Sequence, residues 1–227
     1  MEKLAYVLWK GDTPADAFRD RLLAKLPTRL PMLGAESVAI SVVDSDVAAG
    51  ANLHKGSRKP DALLTFWMEC SQDRAPLEER IAYFTQRMAG YLVVESRPLV
   101  HESPVPPGER TPGFNLVGFI LPKPGMSHEA FVKHWYDVQR DTAIETQTSF
   151  NYVRNEVVRP LTPEAPPWNA LVEEGFPTAA LDDSHVFYDA DGSETRYRAH
   201  LARMMASVEV FIDMENIDSH PMSEYRF

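Results

Sequence analysis

The chain has 227 residues, 44% hydrophobic and 25% charged, ordinary globular values that leave enough apolar sequence for a core in one large or two small domains. Its formal net charge of −10 argues against a nucleic-acid or anionic-membrane partner, because phosphate recognition needs clustered Lys and Arg. A single cysteine, Cys70, excludes an internal disulfide, no HxxxH, HExxH or CxxC spacing supports a metal, and no run nears the ~20 apolar residues of a membrane-spanning helix.

The N-terminal segment MEKLAYVLWKGD lacks the long apolar stretch of a secretory signal, which points to a cytoplasmic protein. Its apolar run over residues 4–9 reads as a buried strand. Thr13-Pro14 then opens an amphipathic helix over 15–26. Strand-like stretches at 37–43 and 63–68, a helix over 77–89 and a strand over 91–94 complete a first half, residues 1–102. Residues 103–113 hold four prolines and interrupt any regular element, so they form a linker to a second half, 114–227.

The second half repeats the order. A strand over 114–121 precedes a turn at Pro124-Gly125, and Ser127 is placed to cap a helix running from 128 to about 148. The next strand, 150–158, puts Tyr152, Arg154 and Glu156 on one face and Val153 and Val157 on the other, which suits one wet face. A strand over 169–172, an insertion spanning 173–191 and a helix over 194–206 follow. The last strand is expected at 208–214, with Val208, Val210, Ile212 and Met214 on its apolar face. Residues 216–227 then form a tail whose Met222, Tyr225 and Phe227 need an apolar cover, a possible route to a homodimer. The order β-α-β-β-α-β twice predicts an α+β protein of two ferredoxin-like halves, joined as an α/β-barrel because neither half covers its open sheet face alone.

The segment Pro124-Gly125-Met126-Ser127-His128-Glu129-Ala130-Phe131-Val132-Lys133-His134-Trp135 resembles the signature of the EthD-like family, a branch of the dimeric α/β-barrel superfamily. Residues 172–178 also look family-like. The resemblance covers roughly residues 114–217, the first half being a diverged copy. It implies a barrel with a pocket for a small organic molecule, and relatives that act as polyketide cyclases, decarboxylases or dehydratases. Where such relatives carry a histidine four residues after the helix tryptophan, this chain has Gln139, an amide that hydrogen-bonds but exchanges no proton near neutral pH.

Phe131, Trp135 and Val138 follow i, i+4, i+7 and read as a core stripe, with His134 on its flank. Gln139, His134, Trp135, Tyr152 and Arg154 are the candidate substrate contacts. Glu173 and Glu174 adjoin a strand end, and either one, buried in an apolar cleft, would have a raised pKa suited to acid–base work. His185 and Tyr188 are spaced i, i+3 in the insertion, either as a proton-transfer pair or as anchors of that segment. His185, Tyr188 and Glu173 are therefore the expected catalytic set. With no Gly-rich phosphate loop, GxSxG elbow or metal spacing, no cofactor is expected. The functional expectation is a cofactor-free lyase, cyclase or decarboxylase for a hydrophobic or aromatic molecule. The alternative is a non-catalytic protein that binds and stabilises such a molecule.

Overall fold

Strand β1 (Glu2–Trp9) is apolar on both faces because both are covered. Leu4, Tyr6 and Leu8 pack beneath helices α1 (Ala15–Arg29) and α2 (Ala75–Ala82), whereas Ala5, Val7 and Trp9 face the interior of a barrel. The computed structural model describes residues 1–227.

The first half contributes β2 (Glu36–Val42), β3 (Ala62–Met68) and β4 (Arg87–Leu99) in the order β4-β1-β3-β2. The second contributes β5 (Phe114–Ile120), β6 (Asn151–Pro160), β7 (Ala170–Phe176) and β8 (Asp218–Arg226) in the matching order β6-β7-β5-β8. Both are split-βαβ sheets. Antiparallel pairing of β2 with β8 and of β4 with β6 closes the two into one barrel, which removes every exposed sheet edge. The expected α+β architecture of two ferredoxin-like halves is the one observed. Backbone bonds from Gly108 N to Arg226 O (2.8 Å) and from Thr111 N to Glu224 O (2.8 Å) lay the proline-rich segment along β8. Because the closing ladders do not run through that segment, cleavage near Gly108 should leave the halves co-eluting in size-exclusion chromatography. Two folded halves eluting apart would contradict the shared barrel.

Three local expectations are corrected. The helix over 77–89 is shorter, because the chain enters the long strand β4 at Arg87. Most of the strand expected at 208–214 is instead the end of helix α6 (Glu194–Phe211), where Met204, Val208 and Phe211 follow i, i+4, i+7 and turn inward while Val210 stays 48% exposed; Ile212 is the extended residue after the helix, bridged to Pro122. The supposed tail is β8, the strand that closes the barrel, with Met222 in the lumen and Tyr225 under the first-half helices. Met222 and Tyr225 are thus covered within the chain, whereas Phe227 stays 36% exposed.

Ser127 caps the second-half helix as expected, its Oγ accepting from Ala130 N at 3.2 Å. This helix runs as α3 (His128–His134), a π-helical segment Trp135–Gln139 and α4 (Arg140–Thr146). The wider π turn adds one residue to the inward repeat, so Gln139 is buried and Val138 is 44% exposed. The core stripe is Phe131, Trp135, Gln139 rather than Phe131, Trp135, Val138. The short helix α5 (Ser184–Phe187) lies in the insertion, which begins after β7 rather than at Glu173.

Candidate functional site

Strict alternation along β7 decides which carboxylate does what. Leu171 and Glu173 point into the lumen, whereas Ala170, Val172, Glu174 and Phe176 point toward the helices. Glu173 accepts from Asn155 Nδ2 at 3.0 Å and lies 3.7 Å from Lys3 Nζ, which also pairs with Glu95 and donates to Asn155 Oδ1 at 2.7 Å. It is a satisfied member of a lumenal ion network.

Glu174 faces a cavity of about 200 Å³ between the second-half sheet and helices α3 to α6. Its floor includes Leu116, Gly118 and Ile120 of β5, and its roof includes Trp135, Met204, Val208 and Phe211. The equivalent space in the first half is filled by Phe18, Leu22, Leu77 and Ile81 against the sheet. Glu174 has neither a hydrogen-bond nor an ion-pair partner; its side chain is half-buried, reached only through the cavity, and this apolar setting pushes its carboxyl up to about 7. Tyr152 stands directly across the β6–β7 ladder from it and also lines the cavity. Trp135 Nε1 donates to the Tyr152 oxygen at 3.0 Å, which leaves the phenol hydrogen free to donate into the cavity. Burial first, and the Glu174 charge second, hold Tyr152 well above the ordinary phenol range, so it stays protonated. Tyr188 lines the same space and is also raised by burial.

The amides complete the polar set. Gln139 Nε2 donates to Met204 Sδ at 3.3 Å, while Gln139 Oε1 and Gln147 Oε1 are buried without partners. Unpartnered buried oxygens cost about 1–3 kcal/mol each and are retained where a ligand or water completes them. The chamber therefore offers one carboxyl near neutrality, two phenols and two acceptor amides, all set in apolar walls.

The other sequence candidates separate. Arg154 is buried beside the chamber, not in it: Nε donates to Ser96 Oγ at 3.0 Å, Nη1 to Trp135 O at 3.4 Å, and the guanidinium stacks 3.7 Å from the Tyr136 ring centroid. Tyr152 and Arg154 thus occupy the helix-covered face of β6, not a wet one. His134 Nε2 pairs with Ser207 Oγ at 3.2 Å and packs on Phe211, behind the roof. His185 stacks on Tyr197 at 4.8 Å, lies 3.4 Å from Glu194 and opens to a polar surface hollow. The His185 and Tyr188 side chains share no hydrogen bond; each ring packs instead against Tyr197. Sequence spacing joined Glu173, His185 and Tyr188, but only Tyr188 reaches the chamber. Of the two adjacent carboxylates the sequence offered, it is Glu174 and not Glu173 that lines the chamber, and Gln147 is an addition no sequence signal pointed to. Gly118 was a usable signal, because a glycine inside a strand marks a place where something approaches the backbone closely.

This placement has a kinetic consequence. His185→Ala should change any turnover in the chamber by less than about tenfold, an effect at or below roughly 1.4 kcal/mol, and steady-state assays of that variant check it.

No protein-family model matches the chain, and no curated protein matches it in sequence. Among solved structures, an anthrone oxidase-like protein aligns over 99% of this chain and 93% of its own, with TM-score 0.53 at 13% identity. A Lactobacillus acidophilus protein provisionally named a monooxygenase aligns over 99% and 93%, with TM-score 0.44 at 8% identity. A Thermus thermophilus heme-binding protein aligns over 99% and 90%, with TM-score 0.41 at 11% identity. At 13% identity the first likeness concerns the fold alone, a closed eight-stranded antiparallel barrel.

Proposed function

We propose that this protein is an enzyme that moves a proton on a small hydrophobic or aromatic molecule in the second-half chamber, with Glu174 as the acid–base group. The observation that carries the reading is the unpartnered Glu174 carboxyl, pushed to about 7 by an apolar setting. A group poised near the working pH is present in both protonation states and serves as acid or base with little penalty. The Glu174 carboxylate would accept a proton from an acidic C–H or O–H of a ring lying over Gly118. Tyr152 would donate to the oxygen that gains charge, and the orphan oxygens of Gln139 and Gln147 would accept from substrate hydroxyls. Lyase, cyclase or decarboxylase chemistry of the EthD-like kind, suggested by the segment from Pro124 to Trp135, fits such a set without calling on a bound cofactor.

The second reading, a protein that holds a hydrophobic molecule without transforming it, is favoured by Gln139 standing where an imidazole would exchange protons. One experiment separates the two. Aromatic 1,3-dicarbonyl compounds incubated in deuterated water should exchange the acidic C–H faster with the wild type than with Glu174→Gln, as followed by proton NMR. Binding with no enzyme-dependent exchange or turnover across the panel would favour the holding role.

A further inference from the structure

The chamber is open on one side. Leu116, Phe187, Tyr188, Ile217 and Ser219 line both it and a wider outer cavity of about 680 Å³. Helix α6 walls the two spaces with neighbouring stripes: Met204, Val208 and Phe211 face the chamber at i, i+4, i+7, and Tyr197, Leu201 and Met205 face the outer cavity at i, i+4, i+8. The two spaces therefore adjoin across those five shared residues. Leu53, Leu181 and Met214 extend the apolar outer wall, and the exposed polar residues Asn52, Lys55 and Asp182 stand on its rim.

The geometry points to the outer cavity as a specificity subsite for the non-reacting part of the same ligand, so that the substrate is an extended, predominantly apolar molecule of more than one ring. This rests on the chamber as the reacting site proposed above. Size supports the division of labour. A dry cavity of about 150 Å³ takes up a single benzene ring, so a chamber of about 200 Å³ holds one ring and its substituents. The outer cavity falls in the range of roughly 300–1,000 Å³ that encloses larger organic ligands. Chemistry supports it as well: the carboxyl, the Tyr152 phenol and both orphan amide oxygens line only the inner chamber, whereas the outer wall is mostly apolar, its hydroxyls being those of Tyr197 and Ser184 and the shared Tyr188 and Ser219. A ligand with a polar reacting ring and an apolar extension matches that gradient.

Calorimetric titration of the full chain with phenol and with 4-phenylphenol tests the subsite. Wild type should bind 4-phenylphenol at least about tenfold more tightly than phenol, because the second ring leaves water. Leu201→Trp and Met205→Trp, at half-buried positions that tolerate a larger side chain, should erase that preference while phenol binding stays within about twofold. Gly118→Val, where an added Cβ finds only ordinary contact at 3.7 Å from Val172, should fill the chamber and weaken both ligands. The subsite is refuted by absence of the preference in wild type, by its survival in both Trp variants, or by equal loss of both ligands in those variants. A concentration-dependent dimer that the Trp variants abolish, with 4-phenylphenol binding intact, would also refute it and assign the surface to a second copy. If Gly118→Val leaves phenol binding unchanged, the chamber reading fails, an outcome distinct from failure of the subsite.

Discussion

Glu174→Gln is expected to lower proton exchange or turnover by about 10²–10⁴-fold, the usual contribution of a positioned acid–base group. Glutamine keeps the volume and hydrogen-bonding capacity of the side chain but removes the proton that can be exchanged. Steady-state rates measured from pH 5 to 9 should show an ionisation near 7 in the wild type and none there in the variant. A rate within tenfold of wild type would remove Glu174 from the mechanism. The same group leaves a mark on stability, and its sign is fixed. The folded-state value is raised from 4.5 to about 7, so the native protein holds more protons than the unfolded chain between those limits. Stability linked to Glu174 is complete below about 4.5 and is lost as pH rises through about 7. The loss is at most about 3 kcal/mol, and less to the extent that water enters the chamber and screens the charge. Denaturant titrations of Glu174→Gln should therefore equal or exceed wild type in stability above pH 7. Wild type gaining stability with rising pH across that window, relative to the variant, would contradict the unpartnered burial.

Lys3→Met is expected to destabilise the protein by about 3–5 kcal/mol, because removing one partner of a buried ion network strands the remaining charges. Lys3 lies at one end of the lumen with its side chain 6% exposed, paired with Glu95 of its own half and with Glu173 and Asn155 of the other. The substitution therefore loosens the join between halves as well as the network. For a chain of this length the cost corresponds to a melting point lower by about 10 °C. Replacing Glu95 and Glu173 by Gln in the same chain should recover most of the loss, since neutral amides need no counter-charge. Calorimetry of the single and triple variants measures both steps. An unchanged melting point for Lys3→Met would mean that the lumen is wet enough to solvate the carboxylates.

Much of the fold is legible in the sequence. The proline-rich break at 103–113, the apolar runs of β1 and β5 and the Ser127 cap are local signals, and the same order of elements on both sides of the break implies two matching sheets. Barrel closure follows, because each sheet has one face that its own helices do not cover. The errors fell where one sequence fits two periods. Residues 208–214 alternate like a strand, yet Val208 and Phe211 also continue the helical spacing from Met204, and their packing over the chamber carries the helix to Phe211. The true last strand was hidden by Pro221, which normally argues against a central strand. It is tolerated because β8 pairs with β5 over Asp218 to Met222 and with β2 only from Ser223 onward, so the missing N–H falls where the β2 ladder has not begun.

The candidate site was legible as a set of residue types and not as a place. The sequence by itself determined that Glu173 and Glu174 lie at a strand, that Trp135 and Gln139 lie on a helix over that sheet, and that Tyr188 lies in an insertion. Only the tertiary structure decided which face each one meets. In a strand both parities are equivalent until one face is assigned to the lumen, and that assignment paired Glu173 with Lys3 and left Glu174 alone among apolar walls. In the helix, the π segment shifted the inward repeat by one residue and turned Gln139 rather than Val138 toward the sheet, a change no fixed 3.6-residue period contains. Periodicity states which residues travel together, but the side from which solvent is excluded is a property of the whole packed chain.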